Sequence, residues 1–137
     1  MVNRALLLHD QEQPLASLKL ALEKQYVGTV RARSCAEALR ILSQDGSPAL
    51  VFSDLTVSDG SWADALRLAS HTPRPVDLIV VSRLVDLPLY VAAMESGAFD
   101  FMVPPFRDDD VAFVVRRAAD DVSRRRAARS GAVGTAA

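Results

Sequence analysis

The chain holds a single cysteine, Cys35, in 137 residues, so it can form neither an internal disulfide nor a Cys-rich metal site. That usage suits a reducing cytoplasm. No apolar run approaches the ~18 residues of a membrane span. The N-terminus, MVNRALLLHD, offers one basic residue and then four apolar ones before His9, which reads as a strand rather than a signal peptide. Charge of one sign is not in excess either. Sixteen Lys and Arg stand against 17 Asp and Glu, which gives no argument for nucleic acid or anionic lipid as a partner. Neither GxxxxGK nor GxGxxG occurs, which argues against a nucleotide-binding switch.

What is present is an ordinary globular mixture, 50% hydrophobic and 24% charged, at a length that fits one domain. Four short runs are almost continuously apolar: Ala5 to Leu8, Ala49 to Phe52, Leu78 to Val81, and Ala98 to Val103 with Asp100 inside it. Strands without polar alternation are covered on both faces, as in a parallel sheet between helices. A fifth run, Tyr26 to Ala32, is more polar and predicts an edge strand. Between them lie helical periods: Leu15, Leu18 and Leu22; Cys35, Ala38, Leu39 and Leu42; Trp62, Leu66 and Ala69; Leu87, Val91 and Met94; and Val111 through Val122. Ser34 with Glu37 has capping-box spacing, Asp86 and Gly97 bracket the fourth helix, and Asp108 to Asp110 face the positive end of the fifth. Five strand–helix pairs in alternation predict a flavodoxin-like, doubly wound α/β domain with a five-stranded parallel sheet in the order 2-1-3-4-5. The domain is expected over residues 1–125. Residues 126–137 are expected to be a disordered tail or the start of a linker.

In such sheets ligands sit beyond the carboxyl ends of the strands. The segment VFSDLTVSDG ends its apolar run at Asp54, placing a carboxylate on that rim. The first strand delivers His9 and Asp10 there, the fourth Ser82 and Arg83, and the fifth runs into Pro104 and Pro105. Two carboxylates drawn together repel unless a cation sits between them, and oxygen donors suit a hard ion such as Mg²⁺.

The pieces LLLHD, VFSDLTVSDG, VVS and SGAFDFMVPPF, in this order and at this spacing, resemble the receiver domains of bacterial response regulators over about residues 3 to 123. The resemblance implies a signalling module of a two-component system, not an enzyme, that accepts phosphate on Asp54 from a histidine kinase or phosphotransfer protein. It implies that Mg²⁺ is held by Asp10, Asp54 and the backbone carbonyl of Thr56. Ser82 would bind the phosphoryl group, Phe101 would change rotamer in the switch, and Pro105 would be the cis proline. A homodimer or output partner would use the face of the fourth helix, fifth strand and fifth helix. Two departures stand out. His9 replaces the first of the family's acidic pair, and Pro104 replaces its lysine, which leaves Arg83 as the nearby cation able to substitute.

Blander alternatives attach to several of these residues. His9 reads as a solvated loop residue in preference to a metal ligand, Cys35 as buried filler, Trp62 as half-packed core, and Arg124 to Arg126 as a solvated helix end. The Leu and Val stripes read as core. The rival function is a pseudo-receiver that binds partners without phosphate. An aspartyl-phosphate hydrolase fits poorly, because Thr56 stands where its acid/base carboxylate would be.

Overall fold

Each central strand is buried on both faces because its side chains alternate between two helical layers. In β1 (Arg4–Leu8), Ala5 and Leu7 join one core cluster, whereas Leu6 and Leu8 join the other. The same division repeats in β3 (Leu50–Ser53), with Leu50 and Phe52 on one side and Val51 on the other. It repeats again in β6 (Asp77–Val81), where Ile79 and Val81 oppose Leu78 and Val80. Burying a Leu or Phe of this kind contributes about 1.5–3 kcal/mol relative to exposure.

The computed structural model describes residues 4–136 and the side chains of 4–129. The sheet runs β2-β1-β3-β6-β7, all parallel, with β2 (Gly28–Ala32) and β7 (Asp100–Met102) at its edges. Counting these five strands alone, this is the expected 2-1-3-4-5. The first cluster is closed by α1 (Leu15–Lys24) and α5 (Asp108–Ala136). The second is closed by α2 (Cys35–Leu42), α3 (Trp62–Ala69) and one residue, Ala93, of α4 (Leu87–Glu95). A small antiparallel hairpin of β4 (Thr56–Val57) and β5 (Gly60–Ser61) follows β3 and has no counterpart in the sequence reading.

Several expectations need correction. The stripe Leu87–Val91 on α4 is exposed rather than core. That helix is apolar on nearly every side, so a 3.6-residue period cannot say which face turns inward. Arg125 and Arg126 do not simply point into solvent. Arg125 Nη1 lies 2.6 Å from Asp77 Oδ1, Arg126 Nε donates to the Pro75 carbonyl at 3.0 Å, and Arg129 Nη1 donates to that of Pro73 at 2.7 Å. This clasp ties α5 to the segment entering β6, and the helix runs on to Ala136 through residues whose apolar periodicity has lapsed. Asp86 caps α4 through the Leu89 N–H, and Gly97, at φ +106°, ends it.

Candidate functional site

Asp54 follows β3 directly and remains in the ladder, its N–H donating to the Leu8 carbonyl at 2.9 Å. Only 2% of the residue is exposed. Its carboxylate Oδ1 accepts the N–H of Leu55 at 2.8 Å, which fixes the orientation of the group. A carboxylate ending a buried strand is costly to desolvate without a partner, and here the partner is Arg83. Arg83 Nη1 stands 3.4 Å from Asp54 Oδ1, while Nη2 donates to the Gln13 carbonyl at 2.6 Å. The carbonyl of Gln13, in the loop before α1, carries no sequence signal, because any residue could supply it.

The other rim residues come together less tightly. Asp10 is half-buried beyond β1, the strand next to β3. His9 is 4% exposed, which corrects its reading as a solvated loop residue. Its N–H extends the ladder to the Ala32 carbonyl, and Nδ1 lies 2.6 Å from the Gln11 carbonyl. Burial lowers the pKa of this imidazole, with the Gln11 carbonyl and the Asp54 charge pulling the other way. Ser82 is buried at the end of β6, but its hydroxyl donates to the Leu84 carbonyl at 2.8 Å, within its own loop. Phe101 of β7 is half-buried and meets Tyr90 of α4 edge-on, ring centroids 5.7 Å apart. The Pro104–Pro105 bond is cis, as is Gln13–Pro14.

The loop after Asp54 is held from both sides. Asp59 accepts the N–H groups of Cys35 at 2.7 Å and Ala36 at 3.0 Å, capping α2 from outside its own sequence, and those bonds lower its pKa. Ser34 adds the expected cap through the Glu37 N–H. Gly60 explains itself by space: a Cβ there would lie 2.9 Å from Asp64 Oδ2 and 3.2 Å from Cys35 Sγ. Cys35 is buried filler, its thiol pushed up to about 11 by burial and by Asp59. The Trp62 N–H donates to the Leu55 carbonyl at 2.9 Å, so the indole's backbone lies one residue from the carboxylate.

No cluster of three or more His, Cys, Asp or Glu suited to a metal occurs among the described residues. The donors expected from the sequence are the carboxylates of Asp10, half-buried beyond β1, and Asp54, buried at the end of β3, with the Thr56 carbonyl two residues further on. This set fits Mg²⁺, which takes few protein ligands and keeps water, although a guanidinium faces one of those oxygens. No helix among the described residues is long and apolar enough to cross a membrane.

No family model matches the chain. It is 27% identical over 111 residues to the transcriptional regulatory protein FixJ of Rhizobium meliloti, covering 81% of this chain and 54% of that one. It is 28% identical over 118 residues to the regulatory protein AtoC of Escherichia coli, covering 85% of this chain and 25% of that one. The chain thus spans about half, or less, of the curated relatives it matches. Among solved structures, a response regulator receiver domain protein from Clostridium thermocellum superposes with a TM-score of 0.73 at 26% identity, covering 88% of this chain and 96% of that one.

Proposed function

We propose, from the premise that this chain is a receiver domain of the response-regulator family, that it takes a phosphoryl group on Asp54 and changes its binding surface in consequence. The donor is a phosphohistidine on a histidine kinase or phosphotransfer protein. The observation that carries this is the placement of Asp54: a 2% exposed carboxylate ending a buried strand on the ligand rim, with a cation beside it.

In the transfer, a carboxylate oxygen of Asp54 attacks phosphorus, and an O–P bond forms as the P–N bond to the donor imidazole breaks. The electron pair stays on the imidazole nitrogen, which takes up a proton. The Leu55 N–H holds the nucleophile's orientation throughout. Asp10, Asp54 and the Thr56 carbonyl would hold Mg²⁺, which when bound sets two positive charges against the phosphoryl oxygens. Ser82 reaches the new phosphoryl group only by giving up its bond to Leu84. That release frees the loop leading into α4, where Leu84, Val85, Leu87, Tyr90 and Val91 are exposed. Phe101, packed on Tyr90, carries the change to the face of α4, β7 and α5. An output partner or second copy binds there, and the chain past the Arg129 clasp serves as a tail or leads into a linker. The chain acts in the cytoplasm, as a signalling module rather than an enzyme.

The test is acetyl phosphate with Mg²⁺, followed by intact mass. A phosphate adduct should appear on the wild type and vanish in Asp54→Asn. An unmodified wild type would leave a partner-binding module that does not use phosphate; an adduct that survives Asp54→Asn would place the nucleophile elsewhere. Beryllofluoride should move the Ser82 and Phe101 amide resonances.

A further inference from the structure

The two hydrogen-bonding corners of the Arg83 guanidinium are held unequally. Nη2 is anchored at 2.6 Å on the neutral Gln13 carbonyl, whereas Nη1 stands 3.4 Å from the charged Asp54 Oδ1. Charge-assisted N–H···O bonds close to about 2.7–2.9 Å when nothing prevents it, so the anchored corner sets the position and the carboxylate is approached only loosely. Arg83 is half exposed while Asp54 is 2% exposed, so the cation lies over the carboxylate from the solvent side. An incoming ion or phosphoryl oxygen reaches Asp54 from that same side.

Two consequences follow from charge alone. A divalent cation sharing the carboxylate meets a positive charge already in place, and like charges at this range repel even when screened. A phosphoryl group on Asp54 instead brings oxygens toward Nη1, and a guanidinium fork suits such oxygens. The position matters because Pro104 puts no cation beside the cis proline, and the loop after β7 has its one basic residue, Arg107, just before α5.

Resting on the phosphoacceptor reading, we propose that Arg83 is a dual-acting catalytic residue: it opposes Mg²⁺ at the resting carboxylate and, pivoting on Gln13, donates Nη1 to a phosphoryl oxygen during transfer. With acetyl phosphate, the O–P bond to Asp54 forms as the P–O bond to acetate breaks, and acetate leaves with the electron pair. Arg83 donates hydrogen bonds and transfers no proton.

The experiment compares the full chain with Arg83→Ala and Arg83→Lys. Mg²⁺ is titrated against the Leu55 and Thr56 amide resonances, with Trp62 fluorescence as a second signal. Arg83→Ala should bind Mg²⁺ about three- to tenfold more tightly, since the repulsion is partly screened. At saturating Mg²⁺ its rate of uptake from acetyl phosphate should fall about tenfold. Arg83→Lys should keep the weak Mg²⁺ affinity and recover part of the rate. A residue that only supports the loop would shift neither measurement, or weaken both. Unchanged or weaker Mg²⁺ binding in Arg83→Ala overturns the antagonism, and an unchanged rate overturns the phosphoryl contact. A wild type that never takes up phosphate sinks the phosphoacceptor reading and the transfer half with it, while the affinity comparison still decides the antagonism.

Discussion

Two buried aspartates in this sheet each face an arginine, at opposite ends of neighbouring strands. Asp54 leaves the carboxyl end of β3 and Asp77 opens β6. Both are nearly inaccessible, at 2% and 5% exposure, and both partners are about half exposed. The difference lies in closure. Arg125 meets Asp77 at 2.6 Å, also donates to the Val76 carbonyl and pairs with Asp121, while Arg126 and Arg129 clasp the preceding carbonyls. Arg83 stops 3.4 Å short of Asp54. A closely closed pair fixes one element against another, whereas a loose one keeps room for something to arrive.

The sharpest way to break the comparison is to neutralise each carboxylate in turn. Asp54→Asn should abolish phosphoryl uptake, whereas Asp77→Asn should leave the uptake rate within about twofold, since the groups sit at opposite ends of the sheet. Comparable losses from both variants would dissolve the distinction.

Next in size is stability. Arg125→Ala strands a buried carboxylate and opens the clasp, and should cost about 2 kcal/mol by urea denaturation, discounted for the exposure of the arginine. Arg83→Ala should cost less than about 1 kcal/mol. Equal costs would mean that the rim pair is structural as well.

The third test is one of pH. Burial, with the neighbouring Asp121 carboxylate, pushes Asp77 up to about 7 against the pull of Arg125, and its buried Oδ2 has no hydrogen-bond partner. Because the folded pKa lies above the unfolded one, near 3.9, the native state binds the extra proton between them. Stability from this group is therefore complete below about 4 and is lost as pH rises through about 7. The slope is at most ~1.4 kcal/mol per pH unit. His9 acts with the opposite sign: burial lowers its pKa, so its contribution is present above its unfolded pKa and lost as pH falls through the folded value. Denaturation of wild type and Asp77→Asn across pH 4 to 8 separates the two, since only the difference between the curves reports Asp77. A difference that does not change with pH would refute the raised pKa.

The doubly covered parallel sheet was legible because its central strands are apolar on successive residues, and its order because strands and helices alternate as in a doubly wound domain. Asp54 was legible because an acid interrupts such a run at a strand end. The orientation of α4 was not, since a helix apolar on nearly all sides has no preferred face to read. His9 was misplaced because histidine composition suggests solvent, whereas a ladder bond to Ala32 draws it inside. The Arg125–Asp77 pair spans 48 positions and the Asp59 cap of α2 spans 24. Pairings at such separations follow from the finished topology and leave no local pattern.

The short path from Asp54 to Gly60 has a consequence for how this domain can vary. Within it, Leu55 receives the Trp62 N–H, the hairpin closes Thr56 against Ser61, Asp59 caps α2, and Gly60 fills a gap with no room for a methyl group. One inserted residue would pull on the starts of two helices together. Length changes are therefore better tolerated around Gly46, where a Cβ meets nothing within 4 Å, than beside Asp54.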